Sequence, residues 1–233
     1  MRMHVILFLL PGILGVAMPT ASAAEVPAEL AALLDNETAF VEALRAREEK
    51  EQLGLDAASA VLESLLAGGD VEGARAKYTE AQKAMEGIRA AYEAGLERYP
   101  NNATLQNYYG ELLYDQFGEE EAAVERWHKA KELDPTLGLP YNNLGIHYMH
   151  VGAYELGLEN LDKALEIDPK HPDFLFNMVQ AYMNHAPFIE QHRGWKPARI
   201  YQEAMKLSKR AVENAPDDYE ILADYAINFW KAE

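Results

Sequence analysis

The stretch Tyr141-Asn142-Asn143-Leu144-Gly145-Ile146-His147-Tyr148, followed by Leu161, Ala164 and Pro169, decides the fold, because the chain carries the same pattern more than once. Counting back from Pro169, the preceding proline of matching context is Pro135, 34 residues earlier, and the one before it is Pro100, another 35 residues back. Glu97-Arg98-Tyr99-Pro100, Glu132-Leu133-Asp134-Pro135 and Glu166-Ile167-Asp168-Pro169 each close a stretch of helical periodicity. A fourth match, Glu213-Asn214-Ala215-Pro216, lies 47 residues beyond Pro169. Proline stops a helix because its ring cannot continue the backbone ladder, so each match ends one unit and opens the next.

The other residues of the pattern are those that two helix contacts need. Small side chains at Gly145, Gly157, Ala123, Ala130, Ala164 and Ala211 let helix axes approach to about 8–10 Å. Large ones at Tyr148, Leu161, Trp127 and Tyr182 fill the space between. One such unit cannot bury its own apolar face, so neighbours must stack on it.

This period and pattern resemble the tetratricopeptide repeat, a helix-turn-helix unit of about 34 residues. The resemblance implies an all-α solenoid of antiparallel helix pairs. In the unit ending at Pro135 the pattern reads Tyr109-Gly110, Ala123, Trp127 and Ala130, with one extra residue placed near the turn at Gly118. In the unit ending at Pro216 it reads Met178-Val179, Tyr182, Ala204 and Ala211, with additional residues at 184–196. There Pro187, Gly194 and Pro197 interrupt the helical register, so an irregular excursion is expected, with Phe188 and Trp195 folding back. The expected organisation is an export signal at 1–23, an N-terminal helical segment at 24–69 and a repeat domain at 70–233. That domain comprises a degenerate unit to 100, units at 101–135, 136–169 and 170–216, and a final helix at 217–233.

Met1 to Ala23 has the composition of an export signal: Arg2, an apolar stretch from Val5 to Met18, then Ala21-Ser22-Ala23 as a small-x-small cleavage site. The stretch is shorter than the roughly 20 residues that span a bilayer. Export to the bacterial periplasm is expected, with no membrane span in the mature chain. Secretion, or anchoring by an uncleaved signal, is the alternative. With no cysteine, neither disulfides nor thiol chemistry is available. The 233 residues carry a net charge of −17, which repels phosphate backbones and argues against nucleic acid as a partner. A solvated acidic coat and a steering field for a basic partner both fit that charge.

Within the N-terminal segment, helices are expected at Pro27–Leu34, Thr38–Gln52 and Ala57–Leu66, with a break at Leu53-Gly54-Leu55-Asp56. The charged run Arg45–Glu51 is expected to face water. Val71 to Tyr99 has no interior proline and reads as one long helix. Asn36-Glu37-Thr38 and Asn102-Ala103-Thr104 match a glycosylation acceptor, and both also suit a helix cap.

No motif points to catalysis. There is no phosphate-binding glycine loop, no Gly-x-Ser-x-Gly and no His-Glu-x-x-His, so no catalytic residues, cofactor or metal site is assigned. His147 and His150 lack a third ligand at a zinc-site spacing, while His185, Glu190 and His192 cluster in the insertion.

In the family resembled, first helices line a concave groove that holds a partner protein or extended peptide. Carrying its inward-facing places across gives Thr104, Asn107, Tyr108 and Glu111, then Asn142, Asn143, Ile146, Met149 and His150. The next helices give Phe176, Asn177, Gln180 and Met183, then Asp224, Ile227 and Trp230. Asn143 and Asn177 occupy equivalent places, where an amide offers both a donor and an acceptor to a peptide backbone. Solvation of an early-helix asparagine explains them equally. The expected function is a non-enzymatic interaction scaffold. Alternatives are an envelope enzyme or metal-dependent accessory subunit with its site at 184–196, or the N-terminal part of a longer repeat protein. The final helix carries Ile221, Leu222, Tyr225, Phe229 and Trp230 around more than one face, which suggests self-association there.

Overall fold

The computed structural model describes residues 24–230, and the expected export signal lies outside them. Among the described residues the regular structure is entirely helical. The fold is an all-α array of antiparallel helix pairs of the solenoid class, and it divides between Lys129 and Ala130 into two compact units.

The first unit opens with α1 (Ala28–Ala31), α2 (Glu37–Ala67) and α3 (Val71–Arg98). The Asn36 carboxamide accepts from the backbone N–H of Ala39 at 3.2 Å, capping α2. Asp70 does the same for α3 through Gly73 at 2.9 Å, just past a turn in which Gly69 takes φ +80°. The two long helices pack as a hairpin about Phe40, Leu44, Tyr78, Ile88 and Tyr92, all fully buried. Gly95 permits that closeness, since a Cβ there would stand 2.5 Å from the Phe40 ring. The expected break at 53–56 does not occur, and α2 runs through Gly54. One helical glycine costs about 1 kcal/mol, too little to interrupt a helix whose Leu44 and Leu55 are anchored on either side of it. The run Arg45–Glu51 does not uniformly face water either, because Glu48 is only 8% exposed.

Next come α4 (Ala103–Leu112) and α5 (Glu120–Leu133). Asn102 caps α4 by accepting from Leu105 N–H at 2.7 Å, the capping role open to both acceptor-like asparagines. Gly110 lies where Trp127 crosses: a Cβ would meet the indole Nε1 at 2.5 Å. The extra residue of this unit is absorbed at the end of the first helix, as a π-helical turn over Leu113–Phe117 closed by Gly118 at φ +64°.

The second unit holds α6 (Gly138–His150), α7 (Tyr154–Ile167), α8 (Pro172–Asn184), α9 (Ala186–Arg193), α10 (Pro197–Asn214) and α11 (Tyr219–Trp230). Gly152, at φ +82°, turns α6 into α7, and Leu161 packs on Gly145, where a Cβ would come within 2.7 Å of the leucine Cγ. Its core joins Met149, Leu158, Leu161, Met178, Val179, Tyr182, Ile189, Ile200 and Ala204.

Residues 184–196 are more regular than their sequence suggests. Pro187 sits in the first turn of α9, where its missing N–H is harmless, and Gly194 at φ +64° ends the helix, so these residues bound a helix and do not break one. Ile189 is fully buried, and Phe188 and Trp195 pack back on the same core as expected. At α11, Ile221 and Asn228 point inward, whereas Tyr219, Leu222, Ile227 and Phe229 are exposed.

Candidate functional site

In the second unit the first helices α6, α8 and α11 are joined by a polar seam. The Asn177 amide on α8 donates to Asn142 Oδ1 on α6 at 3.0 Å. One turn on, Gln180 Nε2 donates to Asp224 Oδ1 on α11 at 2.8 Å, and Asn228 Nδ2 donates to the other carboxylate oxygen at 2.8 Å. Asn184 donates to Gln180 Oε1 at 3.3 Å. The amides are therefore held in place by one another, with Asn142 itself buried.

Around this seam Asn143, Asn177 and Gln180 are half-buried, as are Ile146, Phe176 and Met183, and His150 is exposed. Met149 departs from the expected set. It is 5% exposed and packs on Gly157, where a Cβ would stand 2.7 Å from its sulfur, so it belongs to the contact between α6 and α7. The Trp230 side chain lies outside the described residues.

The corresponding place in the first unit is covered by the chain itself. Asn107 is fully buried and its amide donates to Glu111 at 2.8 Å, so it is not presented to a ligand. Tyr108 is half-buried, with the Arg45 guanidinium 4.4 Å above its ring. Arg45 also reaches Glu111 at 3.1 Å and Glu48 at 3.1 Å, and the Tyr92 hydroxyl donates to Glu48 at 2.5 Å. Burial pushes the Glu48 carboxyl up to about 7, more than Arg45 and Tyr92 pull it down. Burial opposes the charge on Arg45, but Glu111 and Glu48 outweigh it and hold the guanidinium above its ordinary range. Burial and Glu48 together raise the Tyr92 phenol far above its ordinary value.

Sequence reading missed Arg45, Glu48 and Tyr92. The spacing held a signal: Phe40, Leu44 and Glu48 succeed each other every four residues on one helix stripe, which puts the glutamate on the apolar face.

No family model matches the chain. A curated relative, small glutamine-rich tetratricopeptide repeat-containing protein 2 of Mycosarcoma maydis, is 27% identical over 81 residues, 35% of this chain and 23% of that protein. The chain thus spans about a quarter of the length of the curated relative it matches. In this chain the proline-bounded helix hairpins pack Leu161 on Gly145 and Trp127 on Gly110. These hairpins resemble tetratricopeptide repeats. Among solved structures, the MamA protein is similar over 75% of this chain and 80% of its own, at 16% identity and a TM-score of 0.46. PilF of Pseudomonas aeruginosa is similar over 80% and 93%, at 20% identity and a TM-score of 0.41. The Cut9–Hcn1 hetero-tetramer of APC/C is similar over 97% and 46%, at 11% identity and a TM-score of 0.48.

The histidines of the insertion are packing partners of aromatic rings. His185 lies 4.7 Å from the Tyr154 ring, and burial lowers its pKa. His192 stacks on Phe188 at 5.3 Å. Among the described residues no group of three or more His, Asp or Glu side chains is placed to hold a metal ion. Nor, among them, is any helix long and apolar enough to cross a membrane.

Proposed function

We propose that the protein is a non-enzymatic scaffold of the cell envelope that binds an extended segment of a partner protein along α6 and α8 of its second unit. The observation that carries this is the amide seam. Asn142 holds Asn177 and Asp224 holds Gln180, so these amides are oriented before any ligand arrives and little side-chain freedom is left to lose. Asn143 and Asn177 offer polar contacts to a peptide backbone, while Ile146, Phe176 and Met183 flank them with apolar surface. Export through residues 1–23 places the scaffold in the periplasm, and the N-terminus of protein isolated from an envelope fraction should then be Ala24.

A displayed library of random peptides, panned against the purified chain, tests the binding reading. Selected peptides should lose about tenfold in affinity for the Asn143→Ala, Asn177→Ala double variant, the loss of one or two ordinary hydrogen bonds. Failure to enrich any peptide, or equal affinity for both proteins, overturns it.

A further inference from the structure

The first unit contains a partly buried charge cluster that does not depend on that reading. Side chains of α2 reach those of α4 and of the turn that follows it. Arg45 stacks on Tyr108 at 4.4 Å and bridges to Glu111 at 3.1 Å, and Gln116 just beyond α4 donates to Gln52 of α2 at 2.5 Å. The groups meeting there come from three helices. α2 supplies Arg45, Glu48 and Glu49, α3 supplies Tyr92, and α4 and the residues near it supply Asn107, Tyr108 and Glu111. Only Arg45 is cationic among them, and it is shared by Glu48, Glu111 and, at 3.6 Å on its outer side, Glu49.

We propose that α2 is a proton-operated latch over α4, with the Glu48 carboxyl, enclosed by Arg45, Tyr92 and Glu111, as the group that sets it. Protonated, Glu48 is a neutral side chain in a closed space, and Arg45 serves Glu111 and Tyr108. Ionised, it adds a buried carboxylate to the half-buried one of Glu111 beside a single guanidinium, and burying that charge disfavours the closed state. The sign follows from burial having raised the folded-state value from 4.5 to about 7. The closed state binds the proton more tightly than the open one. Its extra hold is therefore complete below pH 4.5, declines as the pH rises, and is gone above about 7. Opening would release Tyr108, which is half-buried beneath the Arg45 guanidinium.

Amide hydrogen exchange of the full chain between pH 5 and pH 8, corrected for intrinsic exchange rates, tests this. Protection across residues 40–52 should fall on the order of fiftyfold over that range in the parent protein. In Glu48→Gln, which keeps the shape and removes the charge, protection at pH 8 should stay near its pH 5 value. Glu49→Gln removes an equal charge from the exposed side and should fall like the parent. Tyr92→Phe deletes the hydroxyl that stabilises the carboxylate, so the midpoint should move to higher pH. Equal pH dependence in the parent and in Glu48→Gln would overturn the latch. So would loss of protection in Glu48→Gln at both pH values, which would make Glu48 a fixed ion-pair partner of Arg45.

Discussion

The amide of Asn177 reaches back from α8 to Oδ1 of Asn142 on α6 at 3.0 Å, tying the first helices of two successive repeats together. Asn142 is 5% exposed, so its carbonyl has little access to water if that donor is lost. Either single alanine variant should cost about 1–2 kcal/mol in urea denaturation, and the double variant less than the sum, with a coupling of about 0.5–1.5 kcal/mol. A coupling of zero would mean that the two amides are solvated independently and that the seam does not orient the face.

Two glycines should answer the same substitution with opposite signs. At Gly145 a methyl would stand 2.7 Å from Leu161 Cγ and 3.1 Å from its backbone nitrogen, and the backbone cannot give way without separating α6 from α7. Gly145→Ala should destabilise by about 1–3 kcal/mol through overpacking. Gly54 has nothing within 4 Å of the same position and lies inside α2. Gly54→Ala should therefore stabilise by about 0.5–1 kcal/mol, by restricting the unfolded chain. Thermal unfolding of both variants beside the parent decides it, and a destabilising Gly54→Ala would contradict the open helix face.

The repeat was legible because prolines and small residues report contacts made within one unit: Pro135, Pro169, Gly110 and Gly145 each act within their own helix pair. What could not be read were arrangements whose partners lie far along the chain. Glu48 is buried because Tyr92, 44 residues later, supplies a hydroxyl, and because Arg45 is itself held by Glu111. Taken alone, Arg45–Glu51 is a charged run, and only the stripe it shares with Phe40 and Leu44 hints otherwise. Met149 was misplaced for a different reason. Its packing depends on Gly157 in the next helix, and a flexible thioether suits a groove and a core equally. Gly54 and Pro187 were overread as interruptions: an isolated glycine is tolerated in a helix interior, and a proline in the first turn.

The insertion gives the last expectation. Read from sequence, residues 184–196 form an irregular excursion from the repeats. In the structure Ile189 of α9 is fully buried in the core of the second unit. Phe188 lies 5.4 Å from Tyr154, Trp195 meets Tyr182 edge-on at 5.8 Å, and Arg193 sits between Tyr182 and Trp195 while bonding Asp162. Removing α9 would expose Tyr182 and the inner face of Ile200, leaving a hole that α8 and α10 cannot close. Ile189→Ala should cost about 2–5 kcal/mol, the range for truncating a fully buried isoleucine. Shortening the whole segment should lower the cooperativity of urea unfolding as well as its midpoint. An insertion-deleted chain that unfolds like the parent would show instead that α9 merely rests on the repeats.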